Sequence, residues 1–409
     1  MSRVEELIER LCPDGVEYKT LGEVGDVTRG GSFQKKDFVE EGFPCIHYGQ
    51  IYTKYGLHAD KTLSFIGLDT AAKSKLARKG DIIMAVTSEN IDDVCKCVTW
   101  LGDGDVAVSG HTAIIHHRLN PKYLTYYFHS RAFEIQKRKL AHGTKVIEVT
   151  PNKLLDVRIP VPPMEVQEEI VRVLDSFAEL EAELEAELEA RRRQYAYYRD
   201  KLLDFSERGG VPLMTLGETM VVERGASPRP IKQFVTDAKN GVPWIKIGDA
   251  NPAGKYITST KEKITLAGAK KSKYLTSGSF ILSNSMSFGR PYILQIDGCI
   301  HDGWLSLSGF EDLFVSDFLY HLLRSNAVQR VWLNKVNTSS VSNLNADIVK
   351  ETPIPVPPLE EQAHIVAVLD KFDALVNDIS AGLPAEIEAR RVQYAYYRDK
   401  LLSFKEKVA

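Results

Sequence analysis

The spacing of hydrophobic positions changes twice along the chain, in the same order each time. From residue 164, Ile170, Val173, Phe177, Leu180 and Leu184 step by three and four, the period of a helix that buries one stripe against a partner. The stripe runs through three tandem Ala-Glu-Leu-Glu tetrads over 178–189 and resumes at Tyr195, Tyr198, Leu202 and Phe205. A period of four overshoots the helical turn, so the apolar stripe drifts around the helix in the tetrads. The pattern predicts one continuous helix over about 164–205, roughly 60 Å long at about 1.5 Å per residue. Pro162-Pro163 suits its start, because a proline there lacks only an N–H that would be unpaired anyway. A second tract starts alike with Ile365, Val368, Phe372, Leu375 and Ile379, and resumes with Ile387, Tyr394, Tyr397, Leu401 and Phe404. Gly382-Leu-Pro384 interrupts it and predicts a kink or short break.

Ahead of each tract the pattern shortens to strand-like runs. Thr20-Leu-Gly-Glu23 and Thr215-Leu-Gly-Glu218 open two comparable lobes. Within them Phe43-Pro-Cys-Ile46 matches Val242-Pro-Trp-Ile245, and glycine turns at Gly80 and Gly278 feed β-rich apolar runs. The second half of each lobe predicts a helix, at about 122–140 and 316–335, with Ser316 and Asp317 as the N-terminal cap of the latter. Residues 3–11 predict a short amphipathic helix with Val4, Leu7, Ile8 and Leu11 on its apolar face, closed by Pro13-Asp-Gly15.

The two halves are copies. Gln-Tyr-Ala-Tyr-Tyr-Arg-Asp-Lys-Leu-Leu occurs at 194–203 and again at 393–402, and Ile-Pro-Val-Pro-Pro at 159–163 and 354–358. Such repetition sets the architecture: a lead-in at 1–18, lobes at 19–158 and 209–353, and helical spacers at 159–208 and 354–409. Neither rod buries its stripe alone. The expected fold is α+β, with two globular α/β lobes held apart by two long antiparallel helices forming a coiled coil, related by a pseudo-twofold repeat. The alternative is two helical hairpins inside independent domains.

Charge sharpens this picture. The chain carries a net −3, yet residues 19–158 and 214–353 each carry +4 while 159–213 carries −6. Basic lobes on acidic rods suit lobes that meet a polyanion and rods that do not, although +4 over 140 residues also suits an ordinary surface. No apolar run approaches the roughly 20 residues of a membrane span, and the N-terminus shows no signal-peptide pattern. The five cysteines lack zinc-site spacing and read as reduced thiols of a cytosolic protein.

Sequence motifs for chemistry are absent: no phosphate-binding Gly-x4-Gly-Lys, no Gly-x-Gly-x-x-Gly and no amino-methyltransferase motif. The adjacent His116 and His117 offer no metal face. These absences favour binding over catalysis. The candidates for DNA contact are basic and small polar residues in loops. In the first lobe they are Arg29, Gln34, Lys35, Lys36, Lys73, Lys75, Ser88, Asn90, Thr144 and Lys145, with His111 as a base-edge candidate. In the second they are Arg224, Arg229, Lys232, Lys246, Lys271, Lys273, Asn284, Ser285, Arg290, Thr338, Ser339 and Ser340, with His301. Lys and Arg neutralise phosphates, while Arg, Asn, Gln and Ser read base edges. Each is also an ordinary surface side chain, and both histidines also fit a satisfied turn. Each rod end carries more aromatics than one seam uses, so Tyr195, Tyr198, Leu202, Tyr394, Tyr397 and Leu401 are candidates for a subunit interface, alongside Tyr197 and Tyr396. Contact with the short N-terminal helix and packing between the rods are the other uses for them.

With Glu-Ala-Arg-Arg-x-Gln-Tyr-x-Tyr-Tyr-Arg-Asp-Lys-Leu-Leu at both rod ends, Asp378-Ile-Ser-Ala-Gly-Leu-Pro384 and the Ala-Glu-Leu tetrads, the chain resembles the specificity subunits of type I restriction–modification systems, most closely the IC-like branch. The resemblance covers the whole chain in order, and is weak in the lobes. It implies a non-catalytic DNA reader: each lobe a target recognition domain for one half of a bipartite double-stranded site, the rods setting the spacing. It implies two modification subunits that bind S-adenosylmethionine and methylate adenine. Restriction subunits would add ATP- and Mg-dependent translocation and cleavage, leaving no cofactor and no membrane contact for this chain. Two rivals remain: an enzyme with activity hidden in a lobe, and a coiled-coil adaptor that binds protein without DNA specificity.

Overall fold

Thr20 and Thr215 each open a one-turn helix by the same device. Glu23 Oε2 accepts from the Thr20 backbone N–H (2.7 Å) and hydroxyl (2.8 Å), and Glu218 Oε2 does the same for Thr215 at the same distances. The structure, a computed structural model, describes residues 3–206, 209–252, 254–285, 288–338, 343–378 and 380–407. It divides into two compact units, Met1–Ala182 with Ala389–Ala409, and Glu183–Glu388. Each unit contains a lobe, the first part of the rod that follows it, and the last part of the other rod.

The strand runs build two larger sheets in each lobe, beside short two-stranded ladders. In the first lobe a five-stranded sheet has the order Gly25–Arg29, Thr112–His117, Ile82–Ala85, Cys97–Trp100, His58–Ala59. The second sheet runs Phe38–Val39, Ser64–Ile66, Phe43–Ile46, Val106–Val108, Lys75–Ala77. The second lobe repeats the first order with Val221–Arg224, Trp304–Ser308, Phe280–Ser283, Pro291–Leu294 and Tyr256–Ile257. Its other sheet has four strands, Glu262–Ile264, Val242–Ile245, Gly298–Ile300 and Lys273–Leu275. The central runs are buried on both faces, as Ile82–Ala85 and Phe280–Ser283 show, which is why they read as continuous apolar stretches rather than alternating ones. Gly80 (φ +96°) and Gly278 (φ +89°) make the turns that feed them, in a region that favours glycine.

The single helices expected in the second half of each lobe are pairs. Pro121–Phe128 is followed by Arg131–Leu140, and Ser316–Leu323 by Asn326–Thr338. A serine makes each break: Ser130 Oγ accepts from Phe133 N at 3.3 Å, and Ser325 Oγ from Val328 N at 3.4 Å. Each starts a new helix by N-capping it. Ser316 is not the cap expected of it. It is the first helical residue, and Asp317 pairs with Lys255 instead.

The first rod is one helix, Met164–Leu202, starting where expected and ending three residues short of Phe205. Val166, Ile170 and Leu174 are buried in the first lobe's core with Tyr123, Leu124 and Leu402. Tyr195 and Leu203 are buried in the second lobe's core. The second rod breaks as expected, into Leu359–Asn377 and Leu383–Leu401. Gly382 sits at the break, where a Cβ would meet the Ala374 oxygen at 2.5 Å and the Leu375 oxygen at 2.7 Å. Ile379, counted in the apolar seam, lies outside the described residues.

Within the first unit the two rods run antiparallel. Phe177 stacks on Tyr397 with centroids 5.5 Å apart and 23° between planes, and lies 6.4 Å from Tyr394. Arg391 Nε reaches Glu181 Oε1 at 2.7 Å, so later residues of one helix meet earlier ones of the other. The second unit has the equivalent stack, Tyr198 on Phe372 at 5.6 Å and 23°.

Candidate nucleic-acid interface

In the first lobe the turn 109–111 links Val106–Val108 to Thr112–His117. His111 sits in it at φ +63°, an uncommon conformation for a non-glycine residue. Its carbonyl accepts from Val86 N (2.9 Å), and the Val86 carbonyl accepts from Val149 N (3.0 Å). Ser88 pairs with Ile147 across a two-stranded ladder, and Arg29 faces Glu148 at 3.6 Å. The loop carrying Thr144 and Lys145 is closed by reciprocal backbone bonds between His142 and Glu148. Arg29 and His111 therefore lie at the strand ends of the five-stranded sheet, next to the two-stranded ladder of Ser88 and the loop that carries Thr144 and Lys145.

Beside His111 runs a row of rings that sequence reasoning missed. Tyr48 lies 5.2 Å from His111, His47 4.5 Å from Tyr48, and Phe38 5.8 Å from His47. His47 caps the helix Tyr48–Thr53, its Nδ1 accepting from Gly49 N at 3.1 Å. Burial pushes its pKa down to about 4, with Lys35 and His111 adding to the effect. Gln34, Lys35 and Lys36 are exposed on a turn held by Asp37 Oδ2, which accepts from Gln34 N at 2.7 Å. Lys73 and Lys75 are exposed where the strand Lys75–Ala77 begins. Asn90 is spent locally: its amide donates to Asp93 Oδ2 at 2.7 Å and accepts from Asp93 N at 2.8 Å.

In the second lobe Arg229, Lys232, Lys246 and His301 share a cleft of about 1200 Å³, with Ser227, Trp244, Glu262 and Asp302 also lining it. Arg229 is 84% exposed and stands 3.6 Å from Asp302. Lys246 pairs with Glu262. His301 packs edge-on to Trp244 at 5.7 Å. Its Nδ1 accepts from Gly303 N at 2.8 Å, which leaves the proton on Nε2, 3.0 Å from Asp302 Oδ1. Burial pushes the Asp302 carboxyl up, yet Ser227, His301 and Arg224 together hold it below the usual carboxylate range. Arg224 Nε donates to the Asp302 carbonyl at 2.9 Å.

Other second-lobe candidates lie apart from the cleft lining. Lys273 pairs with Glu223, Lys271 covers the Phe234 ring at 4.8 Å, and Arg290 donates to the Pro252 carbonyl at 3.2 Å. Ser285 is partly exposed. Asn284 is a correction. It is 3% exposed and donates to the Asp302 carbonyl at 3.0 Å, so its amide supports the turn and does not face a groove. Ser339, Ser340 and the Thr338 side chain lie outside the described residues. A search for cations and small polar side chains passed over Asp302 and Trp244; the adjacency of Asp302 to His301 was the one local signal.

The rod-end residues divide by exposure. Tyr195 is buried and bonds His321 Nδ1 at 3.0 Å. Tyr394, Leu202 and Leu401 pack against the lobe cores, and Tyr198 and Tyr397 stack on the opposite rod. The outward aromatics are Tyr197 and Tyr396, 60% and 62% exposed. Among the described residues no cluster of three His, Cys, Asp or Glu side chains fits a metal ion, and no helix is long and apolar enough to cross a membrane.

Comparison with known proteins agrees with this geometry. The family model for the type I restriction modification DNA specificity domain matches twice, over 13–190 and 213–389. The chain is 33% identical over 294 residues to the EcoR124I/EcoR124II specificity subunit of Escherichia coli, covering 69% of this chain and 70% of that one. It is 31% identical over 306 residues to a putative type I restriction enzyme specificity subunit of Haemophilus influenzae, covering 70% and 73%. In fold it matches a chain from a structural study of the assembly and conformational transition of the type I R-M system, at TM-score 0.64 and 19% identity, over 96% of this chain and 98% of that one. Two copies of one domain, each followed by a rod, are accounted for together: this chain belongs to the family of type I restriction–modification specificity subunits.

Proposed function

We propose that each lobe reads one half of a bipartite double-stranded DNA target, and that the rods fix the spacing between the halves. The observation that carries this reading is a conserved frame with divergent filling. The lobes share their first sheet order and their capping devices, while one turn carries Ser109, Gly110 and His111 and its counterpart His301, Asp302 and Gly303. Readers held by a rigid element avoid the ordering cost of two tethered modules.

The chain itself acts without catalysis or cofactor in this proposal. Methyl transfer from S-adenosylmethionine belongs to two modification subunits, and ATP- and Mg-dependent translocation and cleavage to restriction subunits, all in the cytoplasm. Tyr197 and Tyr396, exposed at equivalent places in identical decapeptides, fit two copies of one partner. A genome-wide map of methylated adenines in cells with and without this chain tests the reading. A bipartite motif methylated only when the chain is present is expected; identical maps would overturn it.

A further inference from the structure

Equivalent turns in the two lobes can be identified by their backbone bonds. Ser109 N donates to the Ile46 carbonyl and His301 N to the Ile245 carbonyl, while Gly30 N donates to the Thr112 carbonyl and Gly225 N to the Trp304 carbonyl. A Cβ on Gly30 would collide with the Ser109 oxygen, and one on Gly225 with the His301 oxygen. The frame is therefore the same, and Asp302 stands where the first lobe has Gly110. The tip differs in backbone as well as side chains, His111 at φ +63° standing where the second lobe has Gly303.

We infer that Asp302 is a specificity-determining residue of the second lobe, its carboxylate selecting the base pair that turns the cytosine N4 amino group towards it in the major groove. This rests on the reading of the lobes as DNA readers. A carboxylate lining a cleft that also carries Arg229 and Lys232 works against phosphate binding, so a function in recognising DNA must come from what it accepts. Ionised Asp is acceptor-only, and the amino donor of cytosine N4 is its matching base edge. The carboxylate is also held in place. Ser227 Oγ donates to Oδ1 at 2.7 Å and His301 Nε2 lies 3.0 Å from the same oxygen. The other oxygen faces the exposed guanidinium of Arg229 at 3.6 Å. From behind, Arg224 and Asn284 hold the backbone carbonyl at 2.9 and 3.0 Å. Two other segments, 224–229 and Asn284, converge with the neighbouring His301 on a residue whose side chain stays 27% exposed. That is the preorganisation a reading group requires.

The test is the methylated-adenine map of cells carrying the full system with the wild-type chain, with no chain, and with Asp302→Asn. Asn keeps an acceptor oxygen for Ser227 and His301 but adds a donor. The expected result is a second half-site relaxed or altered at one base pair, with preference there falling roughly tenfold or more, and a first half-site unchanged. An unaltered motif at normal modification overturns the inference. If modification is lost altogether, melting of the purified chain decides. A fall of several degrees makes Asp302 a structural hub and overturns the proposal, whereas an unchanged melt with lost preference for target duplex in binding assays supports it. Maps that do not depend on the chain at all would overturn the DNA-reading function itself, a result distinct from failure of Asp302 alone.

Discussion

The carboxylate of Asp399 accepts a hydrogen bond from the backbone N–H of Arg131 at 3.0 Å, across 268 residues of sequence. Asp200 does the same for Asn326, also at 3.0 Å. Both aspartates belong to the repeated decapeptide, and the preceding arginine steadies each: Arg398 Nη2 lies 3.0 Å from Asp399 Oδ1, and Arg199 Nη2 3.1 Å from Asp200 Oδ1. A carboxylate at a helix N-terminus satisfies an orphan N–H and complements the helix dipole. Replacing either aspartate by alanine is expected to destabilise its own unit by about 1 kcal/mol. Hydrogen exchange at the Arg131 and Asn326 amides reads this site by site; unchanged protection in both variants would refute the capping role.

Gln167 and Gln362 tie each lobe to the rod that follows it. Gln167 Oε1 accepts from Asn120 N at 2.9 Å and its amide donates to the Pro162 carbonyl at 2.8 Å. Gln362 makes the matching pair with Val315 N and the Pro357 carbonyl, both at 2.8 Å. Both glutamines are buried. Leucine keeps the volume but strands a donor and an acceptor, each costing about 1–3 kcal/mol. Denaturant unfolding of Gln167→Leu and Gln362→Leu is expected to show losses in that range; a loss below about 0.5 kcal/mol contradicts the clamp.

His47 gives the first lobe a pH dependence. It caps a helix as a neutral acceptor, and its folded pKa of about 4 lies below its ordinary value of 6.5. The unfolded chain binds the proton more readily, so its contribution to stability is full above pH 6.5 and is lost as pH falls towards 4. Asn caps without titrating. His47→Asn is expected to flatten the fall of melting temperature between pH 6.5 and 4 while leaving the melt near pH 7.5 within a few degrees. An equally steep fall in the variant excludes His47 as its source.

Deleting residues 182–185 removes one tetrad from the helix Met164–Leu202, about 6 Å of rise and a net turn of roughly 40°. If the rods set the spacing as proposed, the methylated motif keeps both half-sites and changes the number of base pairs between them. A changed half-site with the same spacer refutes the rod's proposed role.

Tyr197→Ala and Tyr396→Ala each remove an exposed ring that packs edge-on against a stacked neighbour at 5.3 Å. Each is expected to weaken assembly with the modification subunit about tenfold or more and to leave the melting temperature of the free chain nearly unchanged. Undiminished assembly with both rings gone sends the partner to another surface.

The regularities of short range were readable in advance. The period of three and four located the rods, Gly382-Leu-Pro384 located the break, and Thr20-Leu-Gly-Glu23 with its copy at 215–218 marked where the lobes open, though not the one-turn helices found there. The breaks at Ser130 and Ser325 were hidden because the apolar pattern runs on across them, and only the cap geometry stops each helix. Asn284 looked like a loop reader, since its burial depends on Asp302, 18 residues away. Asp302 itself was passed over because a carboxylate counts against DNA when only charge is considered.

By itself the sequence determined that the chain is a duplicated lobe-and-rod unit, because exact repetition and helical period are properties of neighbouring residues. Tertiary structure alone decided that the end of the second rod completes the core of the first lobe and the end of the first rod that of the second, with Asp399 on Arg131 and Asp200 on Asn326. The two decapeptides are identical, so nothing in their letters distinguishes one docking site from the other. Chain connectivity and packing across some 130 to 270 residues make that choice.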